Sequence, residues 1–326
     1  MNVRQVVPRD AIPSVDDPSF GPVAAYDGED EDRVVVVDGE TPRAYPLRYL
    51  HYHEIVNATS DGDPVAVTWC PLCGSAVVYE RTVPVETGGD DDGERRLTFG
   101  VSGKLADDDL VMYDRETGSE WKQSRGVAID GPCEGTELAV VPAAVTTVAA
   151  FRGATPDGRV LDPPGGESEA AGDGDDPEPI DYDADPYERY FDLDGFGLGA
   201  HRGTGGREWD RDDVDPKTVV LGVDSGDDAV GFPLPRVRAA GGVVQTAVGT
   251  RDVVVFATDD GIHAFADPGF TLDPTEGDAF RGDGTEWDGA TGRAADGRQL
   301  ERLPSRRLFA FAWQDDHGRD AFYESA

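Results

Sequence analysis

Residues 69–74 read Trp-Cys-Pro-Leu-Cys-Gly and hold two thiols, Cys70 and Cys73, across a Pro-Leu turn with glycine behind them. This spacing suits a metal knuckle, because both sulfurs can reach one point, or a dithiol that closes on itself. A structural zinc centre takes four donors, usually with a second Cys or His pair at fixed spacing, and the chain has no second pair. Upstream stands His53, and downstream Met112 in DLVMYDR (109–115). A set of His53, Cys70, Cys73 and Met112 would suit a soft ion such as copper better than zinc. Three readings stay open at this point: a copper or zinc site, a redox dithiol, and two structural cysteines. The segment after the pair, 75–81, reads as a strand rather than the helix of a thioredoxin-type dithiol, which weakens the redox reading. Cys133, alone in GPCEG, reads as a small buried residue.

Other polar residues offer weaker signals. In PLRYLHYHEIVN (46–57) proline at the first turn and an apolar stripe of Leu47, Leu50 and Ile55 predict a helix that stops near Asn57. Two residues apart on such a helix, His51 and His53 point to nearly opposite sides and do not serve one metal together. His263, in the apolar run GIHAFA, reads as a core histidine, and His201 and His317 fall in polar loops. The glycine-rich stretch 195–206 lacks the GK[ST] ending of a phosphate loop. A pocket lined by Arg43, Asp114, Arg115 and Trp121 is the alternative to metal chemistry, making the chain an enzyme or small-molecule binder; a module without chemistry is the third option.

These residues need strands to hold them. Val34–Val37, Val65–Thr68 and Val253–Phe256 are too short for helices and right for buried strands. ETGGDDDGE (86–94) reads as a hairpin loop. The order of segments repeats: 34–47 is echoed at 219–234, 65–80 at 253–267, 119–131 at 285–297, and 138–151 at 300–313. In that alignment Cys70 and Cys73 stand opposite Thr258 and Gly261, and nothing replaces His53. The expected fold is mainly β, two tandem homologous β-rich units forming a pseudo-symmetric pair with a few short helices. Residues 1–160 form the first unit, 161–190 an acidic flexible linker, and 191–326 a degenerate second unit.

The chain has 326 residues, 66 acids against 29 bases, and a net charge of −37. Such a charge repels phosphates, so nucleic acid and anionic membrane are excluded as partners. Acids spread along the whole chain, with only three lysines, are expected of a halophile, where molar salt shortens the Debye length to about 3 Å. No segment approaches the roughly 20 apolar residues of a membrane span, and the first residues lack the apolar core of a signal peptide. Three cysteines do not make a disulfide scaffold, so a reducing cytoplasm is expected.

PRAYPL (42–47), HEIVN (53–57), CPLCGSAVVY (70–79), FGVSG (99–103), DLVMYDRETGSEW (109–121) and PKTVVLGV (216–223) together closely resemble the family catalogued as domain of unknown function 3179. The likeness runs from PRDAIPSVDDPSF (8–20) to the Phe/Trp-rich end (309–313). The resemblance brings no reaction or cofactor. It does imply that His53, Glu54, Asn57, Cys70, Cys73, Asp109, Asp114, Arg115 and Trp121 belong to a shared pattern. Glu54, Asn57 and Asp109 thereby join the pocket residues. His51, Lys104 and Cys133 depart from the pattern, which argues against His51 and Cys133 as shared ligands.

Overall fold

Runs such as Val34–Val37 are apolar on both faces, and in a folded chain that pattern belongs to strands covered on both sides. The computed structural model describes residues 1–85, 93–172 and 176–324. It is mainly β, with short helices. Val34 to Val37 are all buried, within the Arg33–Val37 strand. That strand pairs antiparallel with Arg43–Pro46 and Ala143–Thr147; Arg159–Leu161 and Phe20–Pro22 complete a five-stranded sheet.

The largest sheet has six antiparallel strands in the order Asp228–Pro233, Val219–Ser225, Arg306–Phe309, Ser75–Glu80, Asp63–Cys70 and Ile55–Ser60. It therefore joins strands from both sides of residues 161–190. A second five-stranded sheet is an antiparallel meander of Val3–Gln5, Phe99–Ala106, Asp109–Asp114, Glu120–Lys122 and Val127–Asp130. Val243–Val248, Arg251–Ala257 and Ile262–Ala266 form a three-stranded meander. The loop expected at 86–94 lies, for 86–92, outside the described residues; its flanks, Thr82–Val85 and Gly93–Arg96, pair antiparallel. Among the described residues no helix is long and apolar enough to cross a membrane.

The helix expected over 46–57 is shorter. It spans Leu47–His53 behind Pro46, and Ile55, Val56 and Asn57 already lie in a strand. The cause is Glu54, whose φ of 55° breaks the helix; its N–H still reaches Leu50 O at 2.8 Å, and its carbonyl accepts from Trp69 N at 2.8 Å. A left-handed glutamate costs about 1 kcal/mol or more and persists only where its surroundings impose it.

The acidic stretch read as a linker is held at several points. Ser168 is fully buried and donates to Tyr52 O at 2.9 Å, Tyr52 Oη donates to Ala184 O at 2.8 Å, and Arg48 reaches Tyr182 O at 3.0 Å. Residues 173–175 are outside the described residues.

Candidate metal centre

Cys70 and Ser75 face each other across the hairpin of Asp63–Cys70 and Ser75–Glu80, and Pro71 to Gly74 make its turn. Gly74 has φ +54°, and a Cβ there would stand 2.7 Å from the Phe309 ring, so backbone and space both demand glycine. Phe309 N donates to Cys73 O at 2.7 Å, and Arg307 Nη1 donates to Gly74 O at 2.6 Å. The Arg306–Phe309 strand thus clamps the turn from the far end of the sequence.

The third member comes from the neighbouring sheet. Asp107 and Asp108 both have positive φ, 53° and 69°, the requirement of a two-residue type I′ hairpin turn, and they place Asp109 opposite Ala106. Cys73 Sγ donates to Asp108 O at 3.4 Å. One ligand atom from each of Cys70, Cys73 and Asp109 lies within 4.8 Å of the other two, and all three residues are buried. Asp109 Oδ2 accepts from Ser124 N at 2.9 Å, while its Oδ1 has no partner. A buried carboxylate oxygen without a donor is costly, and here it adjoins two thiols.

Behind the trio stands a buried ion pair. Lys122 Nζ donates to Asp316 Oδ1 at 2.6 Å, with both side chains under a tenth exposed. Val111 and Lys122 are cross-strand partners, so Lys122 shares the Asp109 face of its sheet. Burial pushes the Asp109 carboxyl up to about 6; Lys122 and the Ser124 N–H oppose that rise, and Asp316 adds to it. Burial likewise raises both thiols, Cys73 well above the ordinary range. It also pushes Glu54 up to about 8, with Glu169 and Asp109 adding to the effect. Glu54 Oε2 has no partner, and Glu54 lines a cleft of about 860 Å³ with Tyr187, Tyr190 and Lys104. Near neutral pH the metal-free centre therefore keeps both thiols and Glu54 protonated, while Asp109 is largely ionised beside Lys122.

Among the described residues, His53 is not one of this cluster. Its Nδ1 sits 2.9 Å from Pro13 O and its Nε2 2.7 Å from Tyr182 Oη. Since a carbonyl can only accept, Nδ1 carries the proton and Nε2 accepts from the tyrosine, which in turn accepts from Gly165 N at 2.9 Å. Both nitrogens are thereby occupied, and burial lowers the ring's pKa. Met112 is fully buried opposite Trp121, on the strand face that alternates away from Asp109. Of the expected set, Cys70 and Cys73 lie close together with Asp109 beside them, while His53 and Met112 are engaged elsewhere.

The other expected pocket residues spend their polar groups on protein contacts. Asp114 Oδ2 accepts from Trp121 Nε1 at 2.9 Å and from Thr117 Oγ1 at 2.7 Å. Arg115 pairs with Asp16 and donates to Ser14 Oγ at 3.0 Å. Arg43 donates to Thr59 O and lies 4.7 Å over the Phe20 ring. Asn57 clamps Phe99 through its N–H at 3.0 Å and its carbonyl at 2.8 Å, and reaches Asp16 at 2.8 Å. The contacts of Asp114 and Arg115 brace the 109–121 segment. Lys122, Ser124 and Asp316 were not singled out from the sequence, although Lys122 is one of only three lysines.

The chain belongs to the family whose model is described as a protein of unknown function, DUF3179, which matches residues 9–323. Neither the curated proteins nor the solved structures include one that matches it.

Proposed function

We propose that this chain is a metal-binding protein whose centre is Cys70, Cys73 and Asp109. The observation that carries the reading is the convergence of two thiols and a carboxylate with an unpaired oxygen, all buried, within 4.8 Å of one another. Two sulfurs select a thiophilic ion, and the carboxylate favours zinc over copper(I), whose preferred partners are sulfur donors. Three protein donors leave a tetrahedral ion one further position. Lys122, close to Asp109 and Cys73, offsets part of the charge that appears when the thiols give up their protons.

The test is metal analysis of untagged protein together with titration of zinc and copper(I) into the metal-free form. One zinc per chain is expected, lost in Cys70→Ser, Cys73→Ser and Asp109→Asn. Substoichiometric, variant-independent metal would overturn the proposal.

A second reading, a dithiol closing to a disulfide, is favoured by the closeness of the two free thiols, whose sulfurs lie within 4.8 Å of each other. It differs in outcome: a two-electron oxidant would then close the pair, and Asp109→Asn would leave that closure unchanged.

We also read the net charge of −37 as adaptation to high salt. Lowering salt lengthens the Debye length and restores repulsion between surface acids. The melting temperature should therefore fall on dilution from molar potassium chloride; a salt-independent melting temperature would contradict this reading.

A further inference from the structure

On the wall of a second cleft, of about 870 Å³, stands Trp69, the residue next to Cys70. Three basic side chains line that cleft without a carboxylate partner among the described residues: Arg33, Lys217 and Arg307. Arg33 donates to Asp260 O, and Lys217 holds the carbonyls of Tyr190, Phe191 and Leu193. Among the described residues, the one side-chain hydrogen bond of Arg307 runs from Nη1 to Gly74 O, which leaves the other guanidinium N–H groups without a partner there. Its guanidinium carbon lies 5.8 Å from the ring centroids of both Trp69 and Phe309. Two aromatic faces therefore hold the planar fork in place. Burial and the nearby charge of Arg33 both work against the Arg307 cation, and among the described residues no carboxylate pairs with it. The indole N–H of Trp69 is also buried without a partner.

The cleft also contains acids, and their positions matter. Asp27, Glu29 and Glu31 are exposed. Asp32 and Asp183 are taken by Arg48 at 3.3 and 2.8 Å, and Asp185 by His51 at 3.1 Å. None of them pairs with Arg307, Lys217 or Arg33.

We infer that this cleft binds a small organic carboxylate with a flat apolar body: the carboxylate on the Arg307 fork near Lys217, the body against Trp69, Phe191 and Phe309. An oxyanion supplies the charge that the unpaired cations lack and bidentate acceptors for a planar donor. The aromatic walls reward a flat apolar remainder, which an inorganic anion does not have. The inference is independent of the metal reading, because no residue it uses is a proposed ligand.

The test titrates benzoate, benzamide and inorganic phosphate into the full chain at constant ionic strength, followed by tryptophan fluorescence and calorimetry. One saturable benzoate site is expected, with benzamide and phosphate each at least about tenfold weaker. Arg307→Gln should weaken benzoate at least about tenfold. Should Arg307→Gln fail to fold, Lys217→Met and Trp69→Phe carry the same test, each expected to weaken benzoate several-fold. Equal affinity for benzoate and benzamide, phosphate as tight as benzoate, no saturable benzoate binding up to ~10 mM, or folded variants that bind like the parent would each overturn the inference.

Discussion

Two hairpins in this molecule each close on a four-residue turn and differ in chemistry. The first joins Asp63–Cys70 to Ser75–Glu80, and the second joins Arg251–Ala257 to Ile262–Ala266. A strand from elsewhere in the chain approaches each turn: Phe309 crowds Gly74, and Val145 O would lie 2.7 Å from a Cβ on Gly261. In the second turn a threonine hydroxyl takes the place of a thiol and bonds locally. Thr258 Oγ1 accepts from Gly261 N at 3.1 Å and lies 3.3 Å from His263 Nε2, and Thr258 N donates to Gly261 O at 2.9 Å. The neighbouring carboxylate, Asp278, is half-buried and accepts from Asp259 N at 2.8 Å. The first hairpin carries thiols at Cys70 and Cys73 instead, and the neighbouring carboxylate, Asp109, is buried with one oxygen unpaired among the described residues. Both are tight turns between paired strands; the donor set belongs to one.

The sharpest way to break this comparison is to remove the charge behind the first turn. Lys122→Met would leave Asp316 buried without its cation and should cost about 3–5 kcal/mol of unfolding free energy in denaturant titrations. A loss no larger than that of a substitution in the second turn would mean that the buried charge is not a burden there.

Next in size is the pH dependence of the metal-free protein, where the two regions should move in opposite directions. Glu54 rises from an ordinary 4.5 to about 8 on folding, so the folded state holds the extra proton between those values. Its contribution is present below pH 4.5 and lost as pH rises through about 8, at most about 1.4 kcal/mol per pH unit. Burial holds His263 well below 6.5, so its contribution is present above 6.5 and lost as pH falls below it. Stability profiles of Glu54→Gln and His263→Phe should each lose the matching slope. Profiles that keep both slopes would remove these two groups from the account.

The smallest effect is expected in the second turn itself. Thr258→Val deletes short local hydrogen bonds and should cost about 1 kcal/mol, with bound metal unchanged. A change in metal content in this variant would show that the second turn is not chemically silent.

Much of this was legible in the sequence, and the exceptions have physical causes. The Cys-Pro-Leu-Cys-Gly turn and the valine strands were readable because short-range spacing and β-branched runs determine them. Asp109 belonged to the expected pocket residues, but its meeting with Cys70 and Cys73 depends on the Asp107-Asp108 turn and on two sheets packing together, which local patterns do not encode. His53 was grouped with the cysteines by residue type. Its actual partners, Pro13 and Tyr182, lie 40 and 129 positions away along the chain. The helix ended early because Glu54 adopts a conformation its own residue type disfavours, a tertiary effect.

The most direct measurement of the central claim is zinc stoichiometry and affinity for four proteins side by side: the parent chain, Cys73→Ser, Asp109→Asn and His53→Ala. The account predicts one zinc per chain in the parent and in His53→Ala, and loss of most affinity in Cys73→Ser and Asp109→Asn. Retention of full affinity in Asp109→Asn together with its loss in His53→Ala would contradict it, and would return the centre to the histidine.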